Sequence, residues 1–249
     1  MTPVDPGPTA AMITIGDEIL SGRTQDANMP FLAQALAAKG IPMREARVVP
    51  DVAEEIVAAV NALRAKYTHV FTSGGIGPTH DDITADCVAA AFGVGIGVRE
   101  DARAILATNY ADPERDLNEA RLRMARIPDG AALIDNPVSK APGFTLGNVH
   151  VMAGVPRVFQ AMVAALLPGL ADGVPVLSES IRIDLPEGRI AGPLRLVAEA
   201  HPDVSIGSYP FQNDGGFGAN IVARSTDPAA LAEAMAALRE MAALLAAPA

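Results

Sequence analysis

Apolar runs of strand length alternate with helix-length patterns along the first two thirds of the chain, and that alternation restricts the fold more than any other feature. AMITIG at 11–16, IPMREARVV at 41–49 and THVFTS at 68–73 read as buried strands. Between them, Phe31, Leu32, Ala35 and Leu36 share one face of a helix predicted from Asn28 to Lys39, with Gly40 as its left-handed C-cap. Ile56, Val57, Val60 and Leu63 repeat the spacing in VAEEIVAAVNALRAKY, where Asp51 is placed to act as N-cap. A third helix is predicted over DITADCVAAAF, stopped by Gly93. Strands that alternate with helices of this length bury their apolar surface by pairing in parallel, with helices covering both sheet faces.

The second part of the chain is more broken. Residues 99–126 predict two helices separated at Asp112-Pro113, and ALIDN, PGFTLGN and VHVMAG read as short strands and turns. A helix from Val155 to Leu167 ends at Pro168-Gly169, and ADGVP at 171–175 reads as a linker. Beyond it IRIDL, PLRLVAEA, VSIGSY, ANIVARS and Asp227 to Leu245 predict a βαββα unit. The expected architecture is α/β, a mainly parallel sheet sandwiched by helices over 11–170, with a small α+β subdomain over 176–249 and a frayed tail at 1–10.

Composition excludes several function classes. Half of the residues are hydrophobic and 19% are charged, so a large core can be buried. The formal net charge of -10 repels nucleic acid and anionic lipid, and no basic stripe offsets it; neither nucleic acid nor membrane is an expected partner. MTPVDPGPTA lacks the basic and apolar regions of a signal peptide. The single cysteine, Cys87, cannot form an internal disulfide, in keeping with a cytoplasmic location, and reads as a small buried side chain. The four histidines show no zinc-ligand spacing: His69 falls in a strand, and His80 is a lone loop histidine of the kind that faces water.

The chemistry concentrates in TSGGIGPTHDDIT at 72–84. Gly74, Gly75 and Gly77 have no Cβ, so backbone N–H groups there can approach an anion at the carboxyl end of a strand and the start of a helix. Two readings compete. Thr79 followed by Asp82 resembles a capping box, which explains one aspartate. It explains neither Asp81 nor the glycines, whereas a phosphate-bearing ligand explains the whole stretch if a divalent cation stands between carboxylates and phosphate. Asp17 and Glu18 after the first strand, and Asp51 after the second, emerge at the same sheet edge. Lys140, between prolines in NPVSKAPGF, is a candidate phosphate contact.

GDEILSGRTQDAN, SGGIGPTHDDIT, MARIPDGAALIDNPVSKAPGF, NVHVMAGVP and VSIGSYPF occur in that order, and together they resemble the CinA-type proteins. The main domain of that family is the MoCF (molybdopterin-binding, MoaB/Mog-like) fold, and VSIGSYP is also similar to the N-terminal half of eukaryotic FAD synthases. The resemblance covers about Ala11 to Leu245. It implies a ligand pocket at the glycine loop, functional roles for Asp82 and Asp51, and a metal and nucleotide near Asp17 and Glu18. The activity it implies is metal-dependent hydrolysis of a nucleotide diphosphate such as ADP-ribose or FAD. Alternatives are molybdopterin binding or adenylylation, and a non-catalytic nucleotide-binding module.

The expected site thus comprises Asp82, Asp81 and Asp51 in catalysis and Ser73, Gly74, Gly75, Gly77, Thr79, Asn28 and Lys140 around the ligand. Asp17, Glu18, Asp81 and Asp82 are expected at a divalent metal, Mg²⁺ or Co²⁺, with K⁺ as a further cation. Self-association as a dimer or trimer is expected from relatives of the fold. Two departures stand out: the family's PGVP turn is AGVP here, at Ala153 to Pro156, which changes a pocket wall, and the resemblance does not extend to the amidohydrolase domain of longer members.

Overall fold

The computed structural model describes residues 7–213 and 216–246. In chain order its elements are β1 (Ala10–Ile15), α1 (Asp17–Leu20), α2 (Asn28–Ala38), β2 (Met43–Val49), α3 (Ala53–Arg64), β3 (His69–Ser73) and α4 (Thr84–Phe92). Then come β4 (Ile96–Val98), α5 (Glu100–Ala107), α6 (Pro113–Asp116), α7 (Glu119–Leu122), β5 (Arg126–Pro128), β6 (Ala132–Ile134), β7 (Gly143–Leu146), β8 (Val149–Met152) and α8 (Pro156–Leu166). The last are β9 (Leu177–Ile183), α9 (Glu187–Ala200), β10 (Ser205–Asn213), β11 (Gly216–Ser225) and α10 (Pro228–Ala246). The chain divides into two compact units at Gly173/Val174.

The first unit is built on a six-stranded sheet in the order β2-β1-β3-β8-β7-β6. Strands β2, β1, β3 and β8 are parallel; β7 and β6 each pair antiparallel with their neighbour. Every residue of β1 is buried, because both of its faces are covered. Ala11, Ile13 and Ile15 pack with Ile56, Val60 and Leu63 of α3 and Val88 of α4. Ala10 and Met12 face Leu32 and Leu36 of α2 and Phe159 and Met162 of α8. Each such aliphatic side chain contributes roughly 1.5–3 kcal/mol by leaving water, so the period of two in the pleat sets which helices cover which face.

The helix-strand alternation is as the sequence predicts, with local differences. Residues 17–20, just after β1, form the one-turn α1. Asp51 does not cap α3: its N-cap is Val52, without a side-chain cap bond. Helix α4 begins at Thr84 rather than at Asp82, so Thr79 and Asp82 precede the helix and do not form its capping box. The region 99–126 breaks at Asp112-Pro113 as expected but yields only α5 and two short turns, and β5 closes it by pairing with β4, a strand pair that carries no period long enough to read. Gly40 takes φ 72° after α2, as its C-terminal position requires.

The second unit is a three-stranded antiparallel sheet, β10-β11-β9, with α9 and α10. Its core joins Ile183, Ile221 and Ala223 to Leu231, Met235 and Leu238. Helix α9 starts at Glu187, six residues ahead of the predicted PLRLVAEA, and carries Pro193 inside it. Among the described residues no helix is long and apolar enough to cross a membrane.

Candidate functional site

Because β1, β2, β3 and β8 run parallel, their carboxyl ends deliver Gly16–Glu18, Pro50-Asp51, Gly74–Gly77 and Ala153–Pro156 to one edge. There they surround a cleft of about 600 Å³, whose lining includes Glu18, Asp51, Gly74, Gly75, Gly77, Asp81 and Asp82. Open α/β sheets bind ligands at this edge, outside the strand ends.

The glycine loop is held by its backbone. Gly74 N–H donates to the Met152 carbonyl (3.1 Å), and the Thr84 N–H donates to the Gly75 carbonyl (2.9 Å). Thr84 Oγ1 donates to the Gly74 carbonyl at 3.0 Å. A Cβ on Gly74 would meet the Ile15 carbonyl oxygen at 2.3 Å, and one on Gly75 would meet Thr84 Oγ1 at 2.1 Å. Both residues also have positive φ, 106° and 68°, so the loop demands glycine twice over. Among the described residues the N–H groups of Gly75, Ile76 and Gly77 have no acceptor, and all three residues line the cleft. Unpaired amides in a concave turn favour an anion.

The carboxylates are arranged by different devices. Asp82 Oδ2 accepts from the Thr79 N–H (2.8 Å) and the Thr79 hydroxyl (2.5 Å). Thr79, then Asp81's own N–H, pulls the exposed Asp81 carboxyl below its ordinary pKa. One hydroxyl proton cannot serve both carboxylates, and the short contact assigns it to Asp82. Asp51 Oδ2 accepts the N–H of Asp17 at 3.0 Å, tying the end of β2 to α1. Burial pushes the Asp51 pKa up; that bond opposes the shift, and the charges of Asp17, Glu18 and Asp81 add to it. The cleft lining contains four carboxylates and no Lys, Arg or His.

Several expected site residues lie elsewhere. Asp17 contributes its N–H to Asp51, and its exposed side chain is not part of the lining. Asn28 is buried; its Nδ2 donates to Ser73 Oγ and to the Gly154 carbonyl, each at 2.7 Å. Asn28 and Ser73 therefore tie α2, β3 and the turn after β8 together beside a separate cavity of about 60 Å³. Thr79 acts through Asp82. Lys140 is half-buried with φ 60°, and its loop lines the cleft through Asn136, Ser139 and Ala141 instead. Among the described residues no three His, Cys, Asp or Glu side chains are grouped to hold a metal ion.

Some features were missed in the sequence. Asn136 organises the 136–141 loop: Oδ1 accepts the N–H groups of Val138 and Ser139, and Nδ2 donates to Ser139 Oγ and the Ala141 carbonyl. The Asn-Pro pair was its signal. The AGVP turn, Ala153 to Pro156, does form cleft wall. Outside the cleft, His69 Nδ1 lies 3.1 Å from His150 Nε2, and His150 Nδ1 lies 2.9 Å from Thr145 Oγ1. Burial, then the neighbouring His69, lowers the His150 pKa to about 3. Cys87 is buried, and its thiol is pushed up to about 11, which keeps it protonated and inert.

Comparison with known proteins agrees with this geometry. Residues 11–172 match the family described as probable molybdopterin binding domain. The chain belongs to that family. Within it the protein is of the CinA type: the crystal structure of the protein CinA with unknown function from Thermoplasma acidophilum superposes with a TM-score of 0.61 at 36% identity, covering 65% of this chain and 97% of that one. A protein of Pyrobaculum calidifontis is 37% identical over 212 residues, 82% of this chain and 81% of its own length. One from Aeropyrum pernix is 33% identical over 247 residues, 94% of this chain and 92% of its own. The second unit of this molybdopterin-binding-type protein, residues 175–246, matches the middle domain of FAD synthase.

Proposed function

We propose that the cleft binds a nucleotide-type diphosphate together with a divalent cation and hydrolyses its P–O–P linkage. The observation that carries this reading is the juxtaposition of three unpaired amides, at Gly75, Ile76 and Gly77, with four carboxylates from two strand ends and the glycine loop. Amides alone attract a phosphate, and carboxylates alone repel it. The two sets are compatible when a hard cation stands between them. The donor set, all oxygen, fits a Mg²⁺-class ion, with the adjacent Asp81 and Asp82 as the side chains that would hold it. A pair of carboxylates short of a closed cage also fits, because such sites are completed by phosphate oxygens and water.

The bound cation would supply charge neutralisation and polarise the diphosphate oxygens. The loop amides donate to non-bridging oxygens, where negative charge grows in the transition state. Thr79 fixes the Asp82 carboxylate from two donors, so its free oxygen presents one direction to the cleft. Asp51, more basic than an ordinary aspartate, takes the proton of the attacking water. The water oxygen bonds to one phosphorus, the bridging P–O bond breaks, and the bridging oxygen leaves on the other phosphate. The apolar part of the wall, with Ile76, Met124, Val155 and Val158, suits a flat ring attached to the diphosphate. Likeness of the second unit to a domain of FAD synthase also supports a nucleotide ligand.

The test is incubation of pure protein with ADP-ribose or FAD and Mg²⁺ or Co²⁺, following AMP by chromatography. AMP should form, and Asp82→Asn and Asp51→Asn should lower the rate about 100-fold or more. Absence of AMP under every metal condition rejects hydrolysis. The family match favours a second reading, in which the same cleft takes a molybdopterin and a nucleotide. Micromolar pterin binding, with AMP transferred from ATP and no AMP released from ADP-ribose, would select it.

A further inference from the structure

The cleft that receives a diphosphate in the proposed reading has no basic side chain in its lining, in a chain of net charge -10. Positive charge beside the loop comes from a segment that the site does not otherwise use. Arg123 opens the turn that leads from α7 into β5, and Arg126 is the first residue of β5. Arg123 Nη2 donates to the backbone carbonyl of Asp82 at 3.1 Å. Arg126 Nη2 pairs with the carboxylate of Asp86, four residues on, in the first turn of α4. The two guanidiniums therefore grip the loop-helix junction at both ends of one turn, of which Asp82 is the first residue.

The turn that carries them is itself anchored. Ala125, between the two arginines, accepts the N–H of Arg99 at 3.0 Å, and Arg126 is in register with Val98 of β4. Arg123 Nε and Arg126 Nε are buried without a partner. Both residues border a void of about 10 Å³ that also touches Gly75, Gly77 and Asp82. That is room for about one water, the expected partner for buried donors of this kind. The void and the main cleft share the glycine loop, so charge held here acts on a phosphate through little protein and little solvent.

We infer that Arg123 and Arg126 are positioning residues of the diphosphate site. They fix the junction that carries Asp82 and the Gly75–Gly77 amides, and Arg123, which has no ion-pair partner among the described residues, offsets part of the repulsion between the cleft carboxylates and an anionic ligand. This inference rests on the proposed reading of the cleft for its ligand, but its structural half can be measured without any ligand. The experiment compares the wild-type full chain with Arg123→Gln, Arg123→Lys and Arg126→Gln. Amide hydrogen exchange is followed without ligand, and ADP-ribose binding with Mg²⁺ is measured by calorimetry.

Arg123→Gln should speed exchange about tenfold within residues 74–86 while leaving α2 unchanged, and should weaken ADP-ribose about tenfold. Arg123→Lys, which keeps the charge and one donor, should recover most of the affinity. Arg126→Gln should shift the same segment, with exchange fastest at the α4 end. Unchanged exchange over 74–86 in folded Arg123→Gln and Arg126→Gln overturns the inference, and so does acceleration spread evenly through the first unit, which marks a general structural role. If Arg123→Gln does not fold, Arg123→Lys decides: exchange and affinity both equal to wild type support the clamp, because a lysine still reaches the carbonyl, and acceleration throughout the unit overturns it. Failure of the wild-type protein to bind ADP-ribose with Mg²⁺ sinks the diphosphate reading alone, and the exchange data still judge the clamp.

Discussion

Gly75 and Gly77 sit two residues apart and answer to different constraints. Gly75 combines φ 68° with a Cβ direction that ends 2.1 Å from Thr84 Oγ1, so any side chain costs both backbone strain and the start of α4. Gly75→Ala is expected to lower unfolding free energy by about 2 kcal/mol, read by urea denaturation. At Gly77 the φ is ordinary, and an added Cβ would meet Asp82 Oδ2 at 2.6 Å. That oxygen belongs to a side chain that can rotate, at the cost of its Thr79 bonds. Gly77→Ala should therefore cost less than about 1 kcal/mol of stability while reducing AMP release at least tenfold. Equal stability losses at the two sites would contradict this division of labour. Only the need for small residues here is visible in the sequence; which glycine guards the backbone and which guards a carboxylate depends on what each faces.

At the scale of elements, β8 shows how a strand can carry a titratable group inside a sheet. Its pattern of four buried residues includes His150, set between β3 and β7 and satisfied by His69 and Thr145. The folded-state pKa, lowered to about 3 from 6.5, means that the unfolded chain takes up a proton first as the pH falls. This histidine's contribution is thus fully present above pH 6.5 and is lost progressively as the pH drops toward 3, by roughly 1 kcal/mol per pH unit. Chemical denaturation across that window should show the slope, and His150→Phe should flatten it even if the variant is less stable throughout. Reading VHVMAG as a strand follows from its composition. That its histidine would meet another from β3 follows from pairing β3 with β8, which no local pattern specifies.

For the whole molecule, the consequence of parallel topology is that carboxylates far apart in sequence share one electrostatic field. Asp51 feels Asp17, Glu18 and Asp81, and with burial they hold its pKa above the ordinary range. A raised folded-state pKa stabilises the fold at low pH and loses that contribution as the pH rises through it. A divalent cation in the cleft reverses the balance by favouring the ionised forms. The gain in Tm on adding Mg²⁺ should therefore be small near pH 4 and grow toward about pH 7, and Asp51→Asn should weaken this dependence. A Mg²⁺ effect that is independent of pH over this range would remove the cation from the cleft.

The architecture of the first unit was legible in local sequence patterns, and so were the small and acidic residues of its loop. Apolar periodicity is a local property, and β1, α2, α3 and β3 each carry theirs within a few residues. The glycines of 74–77 and the aspartates after them stand within nine residues of one another, so the loop was visible as a candidate anion site. Tertiary structure decided which groups meet. It turned Asp51 from a helix cap into an acceptor for Asp17, moved Asn28 and Ser73 from the cleft to the tie beneath Gly154, and brought Arg123 to the Asp82 carbonyl. These contacts join residues 34 to 126 positions apart. Hydrogen-bond partners at that separation are selected by strand order and helix packing, so they exist only after the sheet has formed.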